Sequence, residues 1–551
     1  MPKSLNIASF FRESEEDRLS LFLNRNGFYV SAAIFTLSLF YYLSYAPYGF
    51  VEVEWGLTVA SAEKVLQGKV FYRDFSTIYT PGIYLWTALF FKLFGSSLHS
   101  ATIAWSIIRA FNCLLIYLLG AKIFPRKVAI LLPLFLWLAP GPVQKSFFVF
   151  FELLNILILI KLLSSNRKSV YFLSGITAGI TFIFRIDLFL YFTLAVLFIE
   201  TLKTAESFNK SLIISQVAGA VINLSFFAAG AVISFLPFVL YLLSNSAVND
   251  FVTQFLLGAN TASPTWFIKR PLITQISSWT KWDFVHYATL IIPALTYSLL
   301  LLVLAADIIK RRFTEKDRKL LIVLLYGGMI LSQVISATGL GRLFLVSPPI
   351  LISILYLVSR YYIDNASGYG KKLRTLYAGS LSMTALAFFS LIIGSCFTSH
   401  VLSNGSFFIR YTNTTPLFAP KTNVYVTNEM AQYVNSILNI IETATEKGEN
   451  VYVTPRFGSM FYYINGRAYP TKYEFTESYA NSEEKQLEII RYLKEKNVSL
   501  IITEPSKYNF PNLDTSIIDR YIDENYRIKE RIGDKLVLTK KQKKEKPVHS
   551  S

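Results

Sequence analysis

Two carboxylates one residue apart, in the run Glu52-Val53-Glu54-Trp55-Gly56, follow the first long apolar stretch of this 551-residue chain. A carboxylate fixed there can take a proton from a hydroxyl or hold a divalent cation. Acidic side chains also favour the positive end of a helix, so the pair has an equally good structural reading. The next stretch is dense in aromatic and charged residues: Gly68-Lys69-Val70-Phe71-Tyr72-Arg73-Asp74-Phe75, then Tyr79-Thr80-Pro81-Gly82-Ile83-Tyr84. Further along, Arg185-Ile186-Asp187 closes a glycine-bearing apolar run and Arg342 follows Gly339-Leu340-Gly341. Ionisable groups placed at such depths are costly, and they face the protein interior or a water-filled cavity.

The elements that must position these residues are membrane spans. Hydrophobic residues make up 53% of the chain and charged ones only 16%, against about 25% in a soluble domain. Mean hydropathy is +0.41. These values exclude disordered, collagenous and disulfide-stapled proteins and argue against an ordinary soluble enzyme. The formal charge of +18 is assigned to loops on the cytoplasmic side of a membrane rather than to nucleic-acid binding. Cys113 and Cys396 lie far apart in apolar runs, and His99, His286, His400 and His549 have no ligand spacing, so no metal site is proposed.

Eleven stretches are long and apolar enough to span, near 28–48, 99–121, 127–142, 146–163, 169–185, 188–201, 219–243, 285–306, 320–337, 344–361 and 375–396. Residues 1–27 form a cytoplasmic segment with no cleavage signal, and 28–396 the membrane domain. Lys122, Arg126 and Lys127, Lys161 to Lys168, Lys203 and Lys210, Lys310 to Lys319, and Arg360 to Arg374 alternate with charge-poor connections. The positive-inside rule then places loops 49–98 and 244–284 outside, with 397–540 as an extracytoplasmic α/β domain and 541–551 as a basic disordered tail. Pro81–Phe94, at about 21 Å, is too short to span and is expected to lie in the interface through Ile83, Trp86, Leu89, Phe90 and Leu93. Trp55, Val59, Ala62 and Leu66 line one face of an earlier helix ended by Gly68. In the tail, strands are expected at 451–453, 499–503 and 535–539, with a helix at 483–496.

The first-loop motifs resemble the polytopic GT-C glycosyltransferases, in particular the branch of protein O-mannosyltransferases and lipid A aminoarabinose transferases. The matching pieces are the acidic pair, Ala60–Gly68, Tyr72-Arg73-Asp74, Pro81-Gly82-Ile83-Tyr84 and Phe91–Gly95, in that order after the first span. The likeness covers the first seven spans, continues loosely through the loop before the eighth, and is general in the tail. It implies a polytopic α-helical membrane protein of about eleven spans, GT-C type, with a small C-terminal extracytoplasmic α/β domain. It also implies transfer of a sugar from a polyprenyl-phosphate donor, by inversion, to a lipid, glycan or protein acceptor at the outer face of the plasma (inner) membrane. An acidic residue of the first loop is then the base, with Glu52 and Glu54 as candidates. Family members usually carry at least one Asp in this motif where the chain has Glu-x-Glu, which leaves open which carboxylate acts and whether a divalent cation takes part.

A phosphate leaving group calls for cations. Arg185, Arg342 and Arg73 are the candidates, each with a structural alternative: pairing with Asp187 for Arg185, interfacial anchoring for Arg342, pairing with Asp74 for Arg73. Tyr79, Glu152, Lys269 and Arg270 complete the cavity candidates. The last two sit in a loop whose Trp266, Trp279 and Trp282 serve equally as a lid or as interface anchors. Two other functions stay open, a transporter or flippase of lipid-linked glycan and a non-catalytic subunit of a glycan assembly complex.

Overall fold

A computed structural model describes residues 18–138, 141–206, 213–257, 280–336, 340–363, 371–396, 414–453, 458–473, 482–503, 516–533 and 535–541. Its contacts divide into two units. A helical unit comprises Met1–Ala46, Thr102–Leu240 and Ile268–Arg410, and a mixed unit Pro47–Ala101, Tyr241–Phe267 and Tyr411–Ser551. In chain order the principal helices are α1 (Gly27–Leu43), α2 (Glu52–Leu66), α3 (Gly82–Phe94), α4 (Leu98–Ile123), α5 (Leu132–Leu138), α6 (Ser146–Leu163) and α7 (Lys168–Phe184). They continue with α8 (Ile186–Glu206), α9 (Ile213–Ser244), α10 (Lys281–Ile309), α11 (Glu315–Ile330), α12 (Leu340–Leu345), α13 (Ser347–Ile363) and α14 (Lys371–Cys396).

The chain is a polytopic α-helical membrane protein. Among the described residues six helices are long and apolar enough to cross a bilayer, and four shorter apolar ones accompany them, at Gly27–Leu43, Gly82–Phe94, Lys168–Phe184 and Ala378–Leu391. Each stretch expected to span contains helix among its described residues, but three are interrupted. The stretch 320–337 ends its first helix at Ile330 and resumes as Ser332–Ser336, and 344–361 breaks between α12 and α13. The stretch 127–142 is a four-residue helix, Arg126–Ala129, then α5, then a tight turn at Val143–Lys145.

That last break is built into the sequence. Pro133 and Pro142 lack an amide proton, and Gly141 takes φ +66°, a conformation open to glycine and strained for other residues. The carbonyls released by the break cannot be left bare in an apolar surround. Tyr42 donates its hydroxyl to the Leu136 carbonyl at 2.9 Å, Tyr41 to that of Trp137 at 2.8 Å, and Arg109 its Nη2 to that of Gly141.

Helices α7 and α9 touch backbone to backbone. A side chain on Gly175 would strike the Phe227 carbonyl, one on Gly230 the Phe172 carbonyl, and one on Gly179 the Ser234 hydroxyl. Small residues spaced this way let spans approach where lipid supplies no hydrophobic drive.

In the mixed unit, β1 (Thr414–Pro416) and β2 (Tyr425–Thr427) pair antiparallel, followed by α15 (Asn428–Ala444), β3 (Val451–Val453) and α16 (Gly458–Asn465). Then come α17 (Glu483–Glu495), β4 (Leu500–Thr503), α18 (Ser516–Asn525), β5 (Tyr526–Ile532) and β6 (Lys535–Lys540). The sheet order is β3-β4-β6-β5, parallel only between β3 and β4. A parallel pair needs a crossover, and α17 supplies it, packing Ile489, Ile490 and Leu493 with Tyr452 and Ile501. The segment 47–101 belongs to this same unit. Tyr48 pairs with Tyr425 as an added strand would: the Tyr425 amide donates to the Pro47 carbonyl at 2.7 Å, and the Gly49 amide donates to the Tyr425 carbonyl at 3.0 Å. Gly56 of α2 lies against α16 so closely that a Cβ there would sit 2.6 Å from the Met460 amide nitrogen.

The face expected for α3 is corrected. Ile83 and Phe90 are buried, while Leu85, Leu89, Leu93 and Phe94 form the exposed apolar stripe. The i, i+4, i+8 spacing of the three leucines marks the true face, and Tyr84 and Phe91 point inward beside Ile83.

Replacing Gly175 by Leu is expected to cost about 3 kcal/mol through overpacking of α7 on α9. Ile180→Leu, on an exposed position of α7, is expected to be neutral; thermal unfolding in detergent compares the two.

Candidate active site

In the mixed unit, α2 opens at Glu52 with an extended residue, Val51, before it and no side-chain cap. Glu52 and Glu54 therefore occupy the first turn, both half-buried, while Trp55 behind them is wholly buried and Gly56 seats against α16. Negative charge in the first turn is favoured by the positive end of the helix. Residues two apart on a helix diverge by about 200°, so the two carboxylates do not address one point. The Thr58 hydroxyl donates to the Glu54 carbonyl at 2.9 Å and is occupied within the helix.

The loop after α2 is a compact aromatic knot. Phe71 lies 5.2 Å from Phe75 and 6.0 Å from Tyr84 between ring centroids, and its amide donates to the Tyr241 hydroxyl at 3.1 Å. Tyr72 takes φ +68°, a strained value for a large side chain, and its carbonyl accepts from Gln254. Arg73 pairs with Asp74 at 2.9 Å and donates to the Asn245 carbonyl at 3.0 Å. Asp74 also accepts from the Val70 amide at 2.8 Å, and the Arg73 hydrogen bonds hold its carboxyl below the usual range. Tyr79 is tied by its backbone: its amide donates to the Tyr84 hydroxyl at 3.2 Å, and its carbonyl accepts from Thr77 at 2.9 Å.

Near the end of α2, Glu63 accepts from Ser96 and pairs with Lys421 at 3.0 Å. Its neighbour Lys64 is half-buried, and its ammonium lies 5.4 Å from the Phe75 ring centroid and 5.8 Å from that of Tyr469. Burial, with a smaller push from Lys69, lowers this lysine to about 7.

In the helical unit, Arg185 ends α7 in extended conformation. It pairs with Asp187, and its Nη2 donates to Asp187 at 2.7 Å and to the Gln333 amide oxygen; Gln333 in turn donates to Asp187. The guanidinium carbon stacks 3.6 Å from the centroid of Phe148. Its Nη1 is buried with no hydrogen-bond partner among the described residues. One turn along α6 from Phe148, Glu152 is 1% exposed, and its Oε1 also lacks a hydrogen-bond partner among the described residues. Asn155 donates to the Tyr326 hydroxyl at 2.8 Å, continuing this polar face. Arg342 is half-buried on α12. Lys269 and Arg270 lie outside the described residues.

Sequence reasoning passed over Arg109. It is 3% exposed in the middle of α4, its Nε has no hydrogen-bond partner among the described residues, and its guanidinium carbon lies 5.4 Å from the Tyr42 ring centroid. The signal was present, since an arginine inside an apolar run is a functional candidate by position alone. No three His, Cys, Asp or Glu side chains gather at a metal-binding spacing among the described residues.

No family model matches the sequence, and no curated protein matches it. Solved structures do. ArnT from Cupriavidus metallidurans bound to undecaprenyl phosphate is similar at 12% identity and TM-score 0.50, over 92% of this chain and 97% of that one. The apo state of the same protein gives TM-score 0.49 over the same coverage. The chain has a GT-C fold.

The lowered Lys64 sets a pH dependence. Between about 7 and the ordinary lysine value of about 10.4 the unfolded chain binds one proton more than the folded one, so stability rises with pH through that window. Lys64→Met is expected to flatten this rise, measured by denaturant unfolding of the full chain in detergent across the window.

Proposed function

We propose that this protein is a membrane glycosyltransferase that moves a sugar from a polyprenyl-phosphate donor to a lipid, glycan or protein hydroxyl. The observation that carries the reading is the fold shared with ArnT over nearly the whole of both chains, in a structure that holds undecaprenyl phosphate. The acidic start of α2 and the cations Arg185 and Arg342 supply side chains suited to the two ends of the reaction. The alternation of basic loops supports a plasma-membrane protein with the C-terminal domain on the extracytoplasmic side.

In this mechanism Glu54 or Glu52 takes the proton of the acceptor hydroxyl as its oxygen attacks the anomeric carbon. The bond from that carbon to the phosphate oxygen breaks on the opposite side, its electron pair leaving with polyprenyl phosphate, and the centre inverts. Arg185 offers the leaving phosphate an unspent N–H held in place by Asp187, Gln333 and Phe148. Arg342 adds a second positive charge. The pairing of Arg73 with Asp74 gives those two residues the work of shaping the loop. The roughly 200° between the carboxylates favours a single base.

A second reading, movement of a lipid-linked glycan across the bilayer, is favoured by Glu152, buried within α6 with a carboxylate oxygen lacking a hydrogen-bond partner among the described residues.

Purified protein in nanodiscs, given a panel of polyprenyl-phosphate sugars and cell-envelope acceptors, is expected to release polyprenyl phosphate. Glu54→Gln or Glu52→Gln, one of the two, is expected to lower kcat by about a hundred- to ten-thousand-fold with donor binding retained. Arg185→Ala is expected to weaken donor binding as well as turnover. Donor left intact with every acceptor, despite measured binding, would overturn the transferase reading in favour of transport.

A further inference from the structure

Arg109 carries a charge that the reaction as described does not use. Taking a guanidinium out of water costs several kcal/mol unless its charge and its N–H groups are met. Among the described residues no carboxylate pairs with Arg109; it has the face of Tyr42 and the carbonyl of Gly141. A neutral tyrosine satisfies the equivalent need at Leu136 and another does so at Trp137, so a charge is not required to cap a carbonyl here. What sets Gly141 apart is what lies on it. Its φ of +66° turns the chain sharply, and a Cβ there would stand 3.0 Å from the Phe344 Cβ. Pro142, the next residue, faces Gly341, where a Cβ would lie 3.8 Å from its ring. Helix α12 is six residues long, and Gly341 and Phe344 flank Arg342 on it. So short a helix does not hold itself in place; it packs among α6, α10, α13 and α14, and the 141–142 turn forms one side of its seat. Around that turn α4 adds two more ties: Asn112 donates to the Ser146 carbonyl at 2.9 Å, and Ser146 to the Trp105 carbonyl at 3.3 Å.

We infer that Arg109 is a positioning residue for Arg342: it fixes the Gly141 turn, the turn seats α12, and α12 aims Arg342 at the donor phosphate. A charge-assisted bond to a carbonyl is stronger than a neutral one, and a planar guanidinium stacked over Tyr42 resists rotation, which suits a part that must hold a second part steady. The inference rests on the reading of Arg342 as a phosphate ligand.

The test measures binding of undecaprenyl phosphate and of undecaprenol to the full chain in nanodiscs, taking the ratio of the two dissociation constants as the contribution of the phosphate. Loss of general stability lowers the fraction of competent protein and leaves this ratio unchanged. Wild-type protein is expected to prefer the phosphate, Arg342→Gln to lose about tenfold or more of that preference, and Arg109→Gln to lose a similar factor. The double variant is expected to lose no more than either single one, because both act through one contact. Gly141→Ala, which leaves every charge in place while lifting Phe344, is expected to reproduce the loss and keeps the test decisive if Arg109→Gln does not fold. An unchanged ratio in Arg109→Gln and Gly141→Ala beside a reduced one in Arg342→Gln would overturn the inference and leave the proposed function standing. Additive losses in the double variant would overturn it as well. Absence of any phosphate preference in wild-type protein would remove the donor reading itself, and the inference with it.

Discussion

A peptide carbonyl inside a bilayer has no water to turn to, and the helical unit depends on how that constraint is met at one break. Had the stretch 127–142 run as an unbroken helix, its carbonyls would have been consumed internally and nothing would have called Tyr41, Tyr42 and Arg109 to it. Because Pro133, Gly141 and Pro142 interrupt it, three carbonyls become acceptors for side chains of α1 and α4. The break thereby ties two neighbouring spans to the turn that supports α12. An irregularity in one span becomes the junction at which four elements are joined.

Several charges in this protein are held by close partners. Arg185 is wedged by Asp187, Gln333 and Phe148, Arg73 is locked to Asp74, and Glu63 sits between Ser96 and Lys421. Each arrangement fixes the direction of a side chain at the cost of part of its binding capacity. Arg185 differs from Arg73 in what is left over: one of its N–H donors is buried and has no protein acceptor among the described residues. A preorganised donor of that kind needs no rearrangement when an anion arrives.

The architecture was readable from the sequence because spans announce themselves by length and apolarity, and each of the six long apolar helices among the described residues falls on a stretch expected to cross. The strand, helix and strand of β3, α17 and β4 followed from the same local signals, while the parallel pairing of β3 with β4 came from the structure. What the sequence concealed was rotation and interruption. The inward face of α3 was misjudged because the helix is apolar nearly all round, so that Leu85 and Ile83 look equivalent until a neighbour is chosen. The edge strand β5 escaped notice because its exposed residues, Arg527, Lys529, Glu530 and Arg531, carry no apolar alternation. Arg109 was hidden by the strength of the apolar run around it. For the candidate site, the sequence named Glu52, Glu54, Arg185 and Asp187 by type, and the structure added their surroundings: the helix start for the first two, and Gln333 and Phe148, distant in sequence, for the others.

The mixed unit is assembled from three separated lengths of chain, Pro47–Ala101, Tyr241–Phe267 and Tyr411–Ser551. Its first length carries the carboxylates, and the strand and helix that complete it, β2 and α16, come last. On a ribosome making about 5–20 residues per second, roughly 390 residues separate the end of α2 at Leu66 from the start of α16 at Gly458, so α2 waits roughly 20–80 seconds for its companion. Through that interval Gly56 lacks the Met460 backbone against which it will pack. The packing of the acidic helix is therefore completed by residues translated about 400 positions after it.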